Sequence, residues 1–491
     1  MLFNSVNFLI FLPITVLVYY LLPARFRCIW LLGASYFFYA QWNSKYTLLL
    51  LSCTVITYVT AIALDRLENT RSRKIALAVC LCLVLGVLFF FKYTSMFFGY
   101  VDAFRARFLG STSVLFNYDK IILPVGISFF TLQSMGYVID VYRKDLPAKK
   151  NFIEYALFVA FFPQLVAGPI ERTKGLLSQL SDLDKKFKYE YLQNGVFLIL
   201  YGLMIKMVIA DNLARIVDTV YADPDTYSGW FIVVAMFLFL LQGYGDFYGY
   251  SVIAKGSAAL LGIRLMDNFD APLYARSTTE YWRRWHISMC SWFRDYVYIP
   301  LGGSRRGKMR KYLNIMIVFL LSGLWHGAAM SYVIWGGMNG LFQVIELASP
   351  FHIRSTGSKV RIFFTDLFKN IVAMTVISFA LIFMRSGSFG YGLVMIRQMF
   401  SNLGNFATFV ATKSYDAWGI TAAGMRGVFV GVIALLAVDR IKLHNIKPLE
   451  LLLKQKIWVR YTVYFLLVFF ILIFGCYGEA GDAQQFIYFQ F

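Results

Sequence analysis

Long apolar blocks alternate along this chain with short polar connections. Several blocks reach the roughly 20 residues that a helix needs to cross about 30 Å of hydrocarbon. None shows the strict apolar–polar alternation of a membrane barrel strand. The pattern predicts an all-α polytopic membrane protein with 10 to 13 crossings. The predicted spans are 3–22, 28–40, 46–64, 75–100, 121–141, 152–168, 190–210, 229–262, 312–346, 362–385, 424–438 and 457–477.

Proline and glycine interrupt the predicted spans between positions 121 and 169. Pro124 and Gly126 lie in one interruption, and Pro163, Gly168 and Pro169 lie in the other. Irregular backbone survives at membrane depth only where protein or a water-filled cavity satisfies its polar groups. We therefore expect broken or re-entrant helices in this part of the chain.

The stretch 268–311 combines aromatic and charged residues more densely than the rest of the chain. Its tryptophans Trp282, Trp285 and Trp292 alternate with Arg283, Arg284, Arg294 and Asp295. Both residue types are suited to the headgroup boundary of a membrane. The stretch is predicted to be an amphipathic segment at the cytoplasmic interface. It either carries residues that take part in the protein's chemistry or serves only as an interfacial anchor. No internal repeat or long linker divides the sequence, so we expect one domain, 1–491.

Composition and charge fit a membrane protein. Hydrophobic residues make up 59% of the chain and charged residues 15%, and the net charge is +20. The basic residues cluster in connections between apolar blocks, a pattern that favours the positive-inside rule over nucleic-acid binding. We expect these connections to face the cytoplasm. They run from Arg66 to Lys74, Arg143 to Lys150, Arg305 to Lys311 and Arg440 to Arg460.

The chain has four histidines, and their surroundings differ. His352 and His444 lie in polar connections, where a solvated role is expected. His326 lies in an apolar span beside the small residues Gly323, Gly327, Ala328 and Ala329, which permit close approach of a helix or ligand. An ionisable side chain at that depth is a candidate functional residue. The alternative is a buried histidine that only hydrogen-bonds across helices.

Several motifs together resemble the membrane-bound O-acyltransferase (MBOAT) superfamily. They are YWRRWHISMCSWFRDYVYIPLGG at 281–303 and SGLWHGAAMSYVIWGGMNG at 322–340, with PVGISFFTLQSMGYVIDVYR at 124–143, FFPQLVAGPIER at 161–172, DFYGYSVIAKGSAALLGIRLMDNF at 246–269 and FIYFQF at 486–491. The ordered set is most similar to the bacterial branch that contains the alginate O-acetylation protein. The teichoic-acid D-alanylation protein is a more distant relative.

The resemblance implies a helical bundle with re-entrant or interfacial helices around a transmembrane tunnel, and a catalytic core at about 121–346. It implies that His326 is the central histidine of the family and His286 the second active-site position. Other branches often carry Asn at that second position. The chemistry of His286 therefore stays open between a base and an orienting group.

A sugar hydroxyl is a poor nucleophile near neutral pH, whereas an acyl thioester is already activated, so the reaction needs a positioned base. A buried neutral imidazole at His326 would supply it without a metal or a tightly bound cofactor. Acetyl-CoA, or another acyl thioester, is the expected donor. Its phosphates would be drawn to a basic patch, although the same patch could be only a topological anchor. Candidate substrate-binding residues are Arg305, Arg306, Lys308, Trp325, Trp285, Arg294 and Asp295.

We expect a multi-pass protein of the bacterial cytoplasmic membrane that contacts lipid and acyl-CoA. The resemblance implies a separate extracytoplasmic acyltransferase partner that completes transfer to a polysaccharide. Alginate-like polymers, cellulose, peptidoglycan and teichoic acid are all compatible acceptors. The competing hypotheses are D-alanyl transfer, a transporter or channel with a histidine relay, and a structural scaffold for an export complex.

Overall fold

The structure, a computed structural model, describes residues 1–110, 113, 115–116, 121–349, 356–404, 406–412 and 416–477. Every regular element in these residues is helical, which confirms the all-α prediction. The chain forms two compact units. Unit 1 contains 1–195 and 254–266, and unit 2 contains 196–253 and 267–491. The histidines described below belong to unit 2.

Unit 1 is formed by the first half of the chain. Its helices are α1 (Val6–Leu21), α2 (Ala24–Ala40), α3 (Lys45–Arg66), α4 (Thr70–Leu109), α5 (Ile127–Arg143), α6 (Phe152–Ala160), α7 (Phe162–Leu165) and α8 (Thr173–Ser181). Helix α9 (Tyr189–Leu203) begins in unit 1 and continues into unit 2. It runs on without interruption through a π-helical segment, Met204–Ala210, into α10 (Asp211–Ala222).

The interruptions predicted between 121 and 169 are present in unit 1. Gly126 precedes α5 with a left-handed φ of 77°, and a Cβ there would lie 2.7 Å from the Leu165 carbonyl oxygen. The chain leaves the helix at Phe161 and again after Leu165. Residues 155–171 are buried, and Gln133 and Gln164 donate to the Phe158 carbonyl oxygen. The broken backbone therefore lies inside protein, as its polar groups require.

Unit 2 contains the later helices. They are α11 (Trp230–Leu260, whose last turns belong to unit 1), α12 (Thr278–Arg284), α13 (Ile287–Phe293), α14 (Lys308–His326), α15 (Met330–Ala348), α16 (Lys359–Arg385), α17 (Phe389–Ser401), α18 (Phe406–Ala411), α19 (Ala422–Leu443), α20 (Pro448–Leu453) and α21 (Ile457–Phe474). Two 3-10 turns, Pro272–Tyr274 and Asp416–Trp418, and a π-helical turn, Arg294–Tyr298, complete it.

Among the described residues, seven helices are long and apolar enough to cross a membrane. They are Lys45–Arg66, Thr70–Leu109, Tyr189–Ala222, Trp230–Leu260, Lys359–Arg385, Ala422–Leu443 and Ile457–Phe474. The number is below the 10 to 13 expected because several expected spans are short or broken. The expected span 152–168 is divided into α6 and α7, and the expected span 312–346 is two helices rather than one.

Helices α14 and α15 form a tight antiparallel hairpin. The chain leaves the helix after His326 and re-enters it at Met330. A Cβ on Gly336 would lie 2.3 Å from the Phe319 carbonyl oxygen, and a Cβ on Gly323 would lie 2.3 Å from the Tyr332 carbonyl oxygen. Only glycine permits this backbone approach, so the small residues noted in the sequence place two helices in direct contact.

In the stretch 268–311 the tryptophans and the charged residues differ in exposure, while its position at the membrane interface stays a prediction. Trp282 and Trp292 are buried, and Trp285 is half-buried. Trp282 donates a 3.3 Å hydrogen bond to the Asn339 side chain. Burial of large aromatic surface explains the difference, because these rings fill the interior of unit 2 while most of the charged side chains point outward.

Candidate active site

His326 lies at the C-terminal end of α14, just before the break in the hairpin. Its side chain is 2% exposed. The imidazole packs edge-to-face between the rings of Trp325 and Trp335, each with a centroid distance of 4.9 Å. Gly327 follows in extended conformation, and the Tyr332 ring fills the space that a side chain at Gly327 would need. The hairpin thus holds one ionisable ring inside an aromatic enclosure.

His286 is fully buried in the loop between α12 and α13. Its backbone is left-handed, with φ 43° and ψ 52°, a conformation that costs a non-glycine residue of the order of 1–3 kcal/mol. The chain keeps it because the loop is anchored on both sides: Ile287 N–H donates to the Asn268 carbonyl and Asp270 N–H donates to the Arg284 carbonyl, both at 2.9 Å. Strain retained at a buried ionisable residue is a feature of functional sites.

Polar side chains orient the His286 ring. Its Nδ1 lies 3.5 Å from the Ser288 hydroxyl, which donates a 2.7 Å hydrogen bond to the Asn268 side-chain oxygen. The Asn268 amide in turn donates to the Ser251 hydroxyl at 3.4 Å. The loop lies outside the seven candidate spans, and burial lowers the pKa of His286 to about 3. The ring is therefore neutral at physiological pH. A neutral imidazole has one N–H that can donate a hydrogen bond and one nitrogen that can accept a proton or a hydrogen bond.

Trp325 connects the two histidines. Its ring centroid is 5.9 Å from that of His286 and 4.9 Å from that of His326. On the other side of His286 the Phe247 ring lies 4.6 Å away. Two buried imidazoles thus share one aromatic environment, although they are 40 positions apart in sequence.

Trp285, another predicted site residue, lies beside this environment. It stacks on Tyr281 at 5.4 Å and meets Phe269 edge-to-face at 5.0 Å. Phe269 also contacts Phe247, at 5.1 Å, which in turn packs on His286. Trp285 therefore contacts the histidine environment through other rings, a position that suits a supporting role.

The charged candidates lie on the surface. Arg294 pairs with its neighbour Asp295 at 2.8 Å, with the arginine side chain 63% exposed. Arg305, Arg306 and Lys308 are exposed in a turn around Gly302 and Gly303, both of which have left-handed backbones. In the described residues, Arg294, Arg305, Arg306 and Lys308 make no hydrogen bond or ring contact with a histidine. His444 is exposed at the end of α19, and His352 lies outside the described residues.

Two buried polar clusters in unit 2 were not anticipated. In one, Lys206 of the π-helical segment forms ion pairs with Asp211 at 2.7 Å and Asp246 at 2.6 Å. In the other, Tyr244 donates a 2.7 Å hydrogen bond to Asp439, which also pairs with Lys442. Charged residues inside apolar spans were the available signal. Asp246 directly precedes Phe247, so the first cluster holds the helix that packs on His286.

Chemically, the site offers two buried imidazole rings in an aromatic enclosure. Such an enclosure strengthens a hydrogen bond to an attacking hydroxyl, because few waters compete for it. A base of this kind suits proton abstraction from an alcohol.

Comparison with known proteins identifies the family. Residues 30–386 match the membrane-bound O-acyltransferase family, and both histidines lie inside the matched region. The chain is 40% identical over 352 residues to the probable alginate O-acetylase of Azotobacter vinelandii, with 71% of this chain and 69% of the relative covered.

Two further relatives carry different names. A peptidoglycan O-acetyltransferase of Helicobacter pylori is 34% identical over 379 residues, with 71% of each chain covered. A teichoic acid D-alanyltransferase of Streptococcus thermophilus is 29% identical over 234 residues, with 45% of this chain and 56% of the relative covered. The family match, the multi-pass helical fold and the buried histidines agree: the chain belongs to the membrane-bound O-acyltransferase family.

Proposed function

We propose that this protein moves an acetyl group from a cytosolic acyl thioester across the membrane for O-acetylation of an extracytoplasmic polysaccharide. The observation that carries the proposal is the pair of buried imidazoles, His286 and His326, on either side of Trp325 within the family-matched region. Relatives named as alginate and peptidoglycan O-acetyltransferases support acetyl transfer to a glycan.

His326 acts as the general base in this proposal. The imidazole takes the proton of the acceptor hydroxyl while the hydroxyl oxygen attacks the thioester carbonyl. A C–O bond forms and the C–S bond breaks. The leaving thiolate of coenzyme A takes that proton from the imidazolium, which returns His326 to its neutral form. His286, held by Ser288 and Asn268, positions the donor or the acceptor. No tightly bound cofactor is needed.

The acceptor lies outside the cytoplasmic membrane, so the acetyl group passes through a tunnel that contains the histidines. A separate extracytoplasmic acyltransferase completes the transfer to the polymer. The named relatives act on alginate and peptidoglycan, and polymers of these two classes are the acceptors we propose.

His326→Ala tests the proposed chemistry. General base catalysis typically contributes about 10²–10⁴-fold, so the residual rate should be about one per cent or less. The measurement is coenzyme A release from acetyl-CoA by purified protein with its extracytoplasmic partner supplied. Full activity in a correctly folded His326→Ala variant would exclude the base assignment. Activity lost only together with folding would leave this histidine a structural residue.

D-alanyl transfer is the second candidate, because a teichoic acid D-alanyltransferase is among the relatives. The lower identity and coverage of that match favour acetyl. A histidine relay in a transporter predicts substrate uptake without thioester cleavage, and the same assay separates it from the enzyme.

A further inference from the structure

Unit 2 has an open polar cleft of about 550 Å³ on the outer side of α12. Its lining comes from three separate parts of the sequence: Asp270, the stretch from Arg276 to Arg284, and the end of α15 at Glu346 and Leu347. The volume lies within the range of small-molecule sites. None of the basic residues singled out from the sequence as a donor entrance lines it.

Most charged groups in the cleft are already committed to other partners. Glu280 accepts hydrogen bonds from the Arg276 backbone at 2.8 Å and from the Arg284 side chain at 2.9 Å. Arg276 also pairs with Asp366 at 3.1 Å. Glu346 accepts from the Thr278 backbone at 2.8 Å and hydroxyl at 2.6 Å.

Two charged side chains of the cleft, Asp270 and Arg283, are held less firmly by partners. Asp270 is 58% exposed and only 3.7 Å from Arg284, so its charge is partly neutralised and well hydrated. Arg283 is exposed and has no hydrogen-bond or ion-pair partner among the described residues. It is the cation of the cleft that is available to a ligand. Guanidinium groups recognise phosphate oxygens through two parallel hydrogen bonds.

The other face of the same helix contacts the histidine environment. Trp282, adjacent to Arg283, packs on Trp335 at 5.8 Å, and Trp335 lies 4.9 Å from His326. Arg284 and Trp285 then lead directly to His286. From the helix that carries Arg283, the rings of Trp282 and Trp335 thus lead in series to His326.

The cleft is at the basic end of the α14–α15 hairpin. Because the two helices are antiparallel, Glu346 near the end of α15 lies at the same end as Lys308, where α14 begins. The positive-inside rule predicts that this end faces the cytoplasm. A soluble anionic donor would therefore reach the cleft from the cytosol.

We infer that this cleft binds a phosphate group of the acyl thioester donor, with the Arg283 guanidinium as its counter-ion. The inference rests on the proposed function for the identity of the donor. The shared chemistry is a phosphopantetheine thioester, which is part of coenzyme A and is also carried by acyl carrier proteins.

The test compares three donors: acetyl-CoA, S-acetyl-4′-phosphopantetheine and S-acetylpantetheine, which has no phosphate. With the purified protein and its partner, Arg283→Gln should raise the KM of the phosphorylated donors about tenfold and leave that of S-acetylpantetheine unchanged. Arg283→Lys should recover part of the loss. Arg397→Gln, which removes an exposed cation from α17, is the matched control and should behave as the parent.

The pattern across donors distinguishes the sources. A rise for both phosphorylated donors assigns Arg283 to the phosphate that they share, and a rise for acetyl-CoA alone assigns it to the nucleotide phosphates. Unchanged KM values for both phosphorylated donors, or an equal rise in KM for all three donors, would overturn the inference.

Equilibrium dialysis with coenzyme A separates this inference from the proposed function. His326→Ala should bind coenzyme A as the parent does, and Arg283→Gln should bind it about tenfold more weakly. If the parent transfers acetyl through His326 while Arg283→Gln binds coenzyme A normally, the inference alone fails. If coenzyme A binding depends on Arg283 but no thioester is cleaved, the proposed function alone fails.

Discussion

At the scale of single residues, His286 combines full burial, a left-handed backbone and a hydrogen-bonded ring. Burial opposes the charged form of the ring and the left-handed backbone costs conformational free energy, so the surrounding loop must compensate for both. The compensation comes from Asn268, whose backbone and side chain both contact the 286–288 segment. Asn268 therefore holds the loop that carries His286.

The lowered pKa of His286 makes stability depend on pH. The unfolded chain binds a proton near pH 6.5, whereas the folded site resists one until about pH 3. Stability from this group is therefore complete above pH 6.5 and decreases as the pH falls toward 3, by about 2 kcal/mol at pH 5. Thermal unfolding in detergent at pH 7.5 and pH 5 measures the loss.

His286→Asn is the matched variant for this measurement, because Asn tolerates a left-handed backbone and does not titrate. The variant should lose less stability than the parent between the two pH values. Equal losses would mean that other groups dominate the acid response and that His286 takes up a proton in the folded state.

At the scale of elements, the α14–α15 hairpin fixes the position of His326. The contact depends on Gly323 and Gly336, which let the two backbones approach without intervening side chains. Trp335 precedes Gly336 and packs on the His326 ring. A change in the separation of these helices would therefore move an aromatic wall of the site.

Gly336→Ala should separate the hairpin, because its Cβ would lie 2.3 Å from the Phe319 carbonyl oxygen. We expect a loss of about 1–3 kcal/mol and reduced acyl transfer. Gly337→Ala is the control: its Cβ would lie 3.4 Å from the Leu320 side chain, an ordinary contact. Unfolding temperatures and thiol release measured on both variants check the prediction. A Gly336→Ala variant as stable as Gly337→Ala would disprove the close approach.

At the scale of the whole molecule, the orientation in the membrane decides which substrates reach each face. Helix α16 has 27 residues and is roughly 40 Å long, enough to cross the bilayer. It begins beside the cleft, where Asp366 pairs with Arg276 and Asn370 donates to the Ala275 carbonyl. It ends at Arg385, before α17.

The predicted orientation puts position 309 in the cytoplasm and position 390 outside. Met309 is 80% exposed, and a Cβ on Gly390 would meet nothing within 4 Å, so both accept a cysteine. In intact cells, an impermeant maleimide should label Gly390→Cys above the parent's background and should label Met309→Cys only after permeabilisation. The reverse pattern would place the cleft on the extracytoplasmic side and exclude a cytosolic donor there.

Sequence alone determined the helical membrane fold, since the backbone N–H and C=O groups of apolar segments in lipid must form their hydrogen bonds within each helix. It also selected His286 and His326, because histidine is rare in this chain and these two lie in motifs that resemble the motifs of the family. Their catalytic roles stay predictions.

Only the tertiary structure divided the expected span 312–346 at Gly327 and turned the tryptophans of 268–311 inward. It also brought Asp270, Arg283 and Glu346 to one cleft, and Lys206 to Asp246. These features depend on contacts between residues tens of positions apart. Local hydrophobic periodicity reports which side of a helix is apolar, but it carries no information about the helix that packs there.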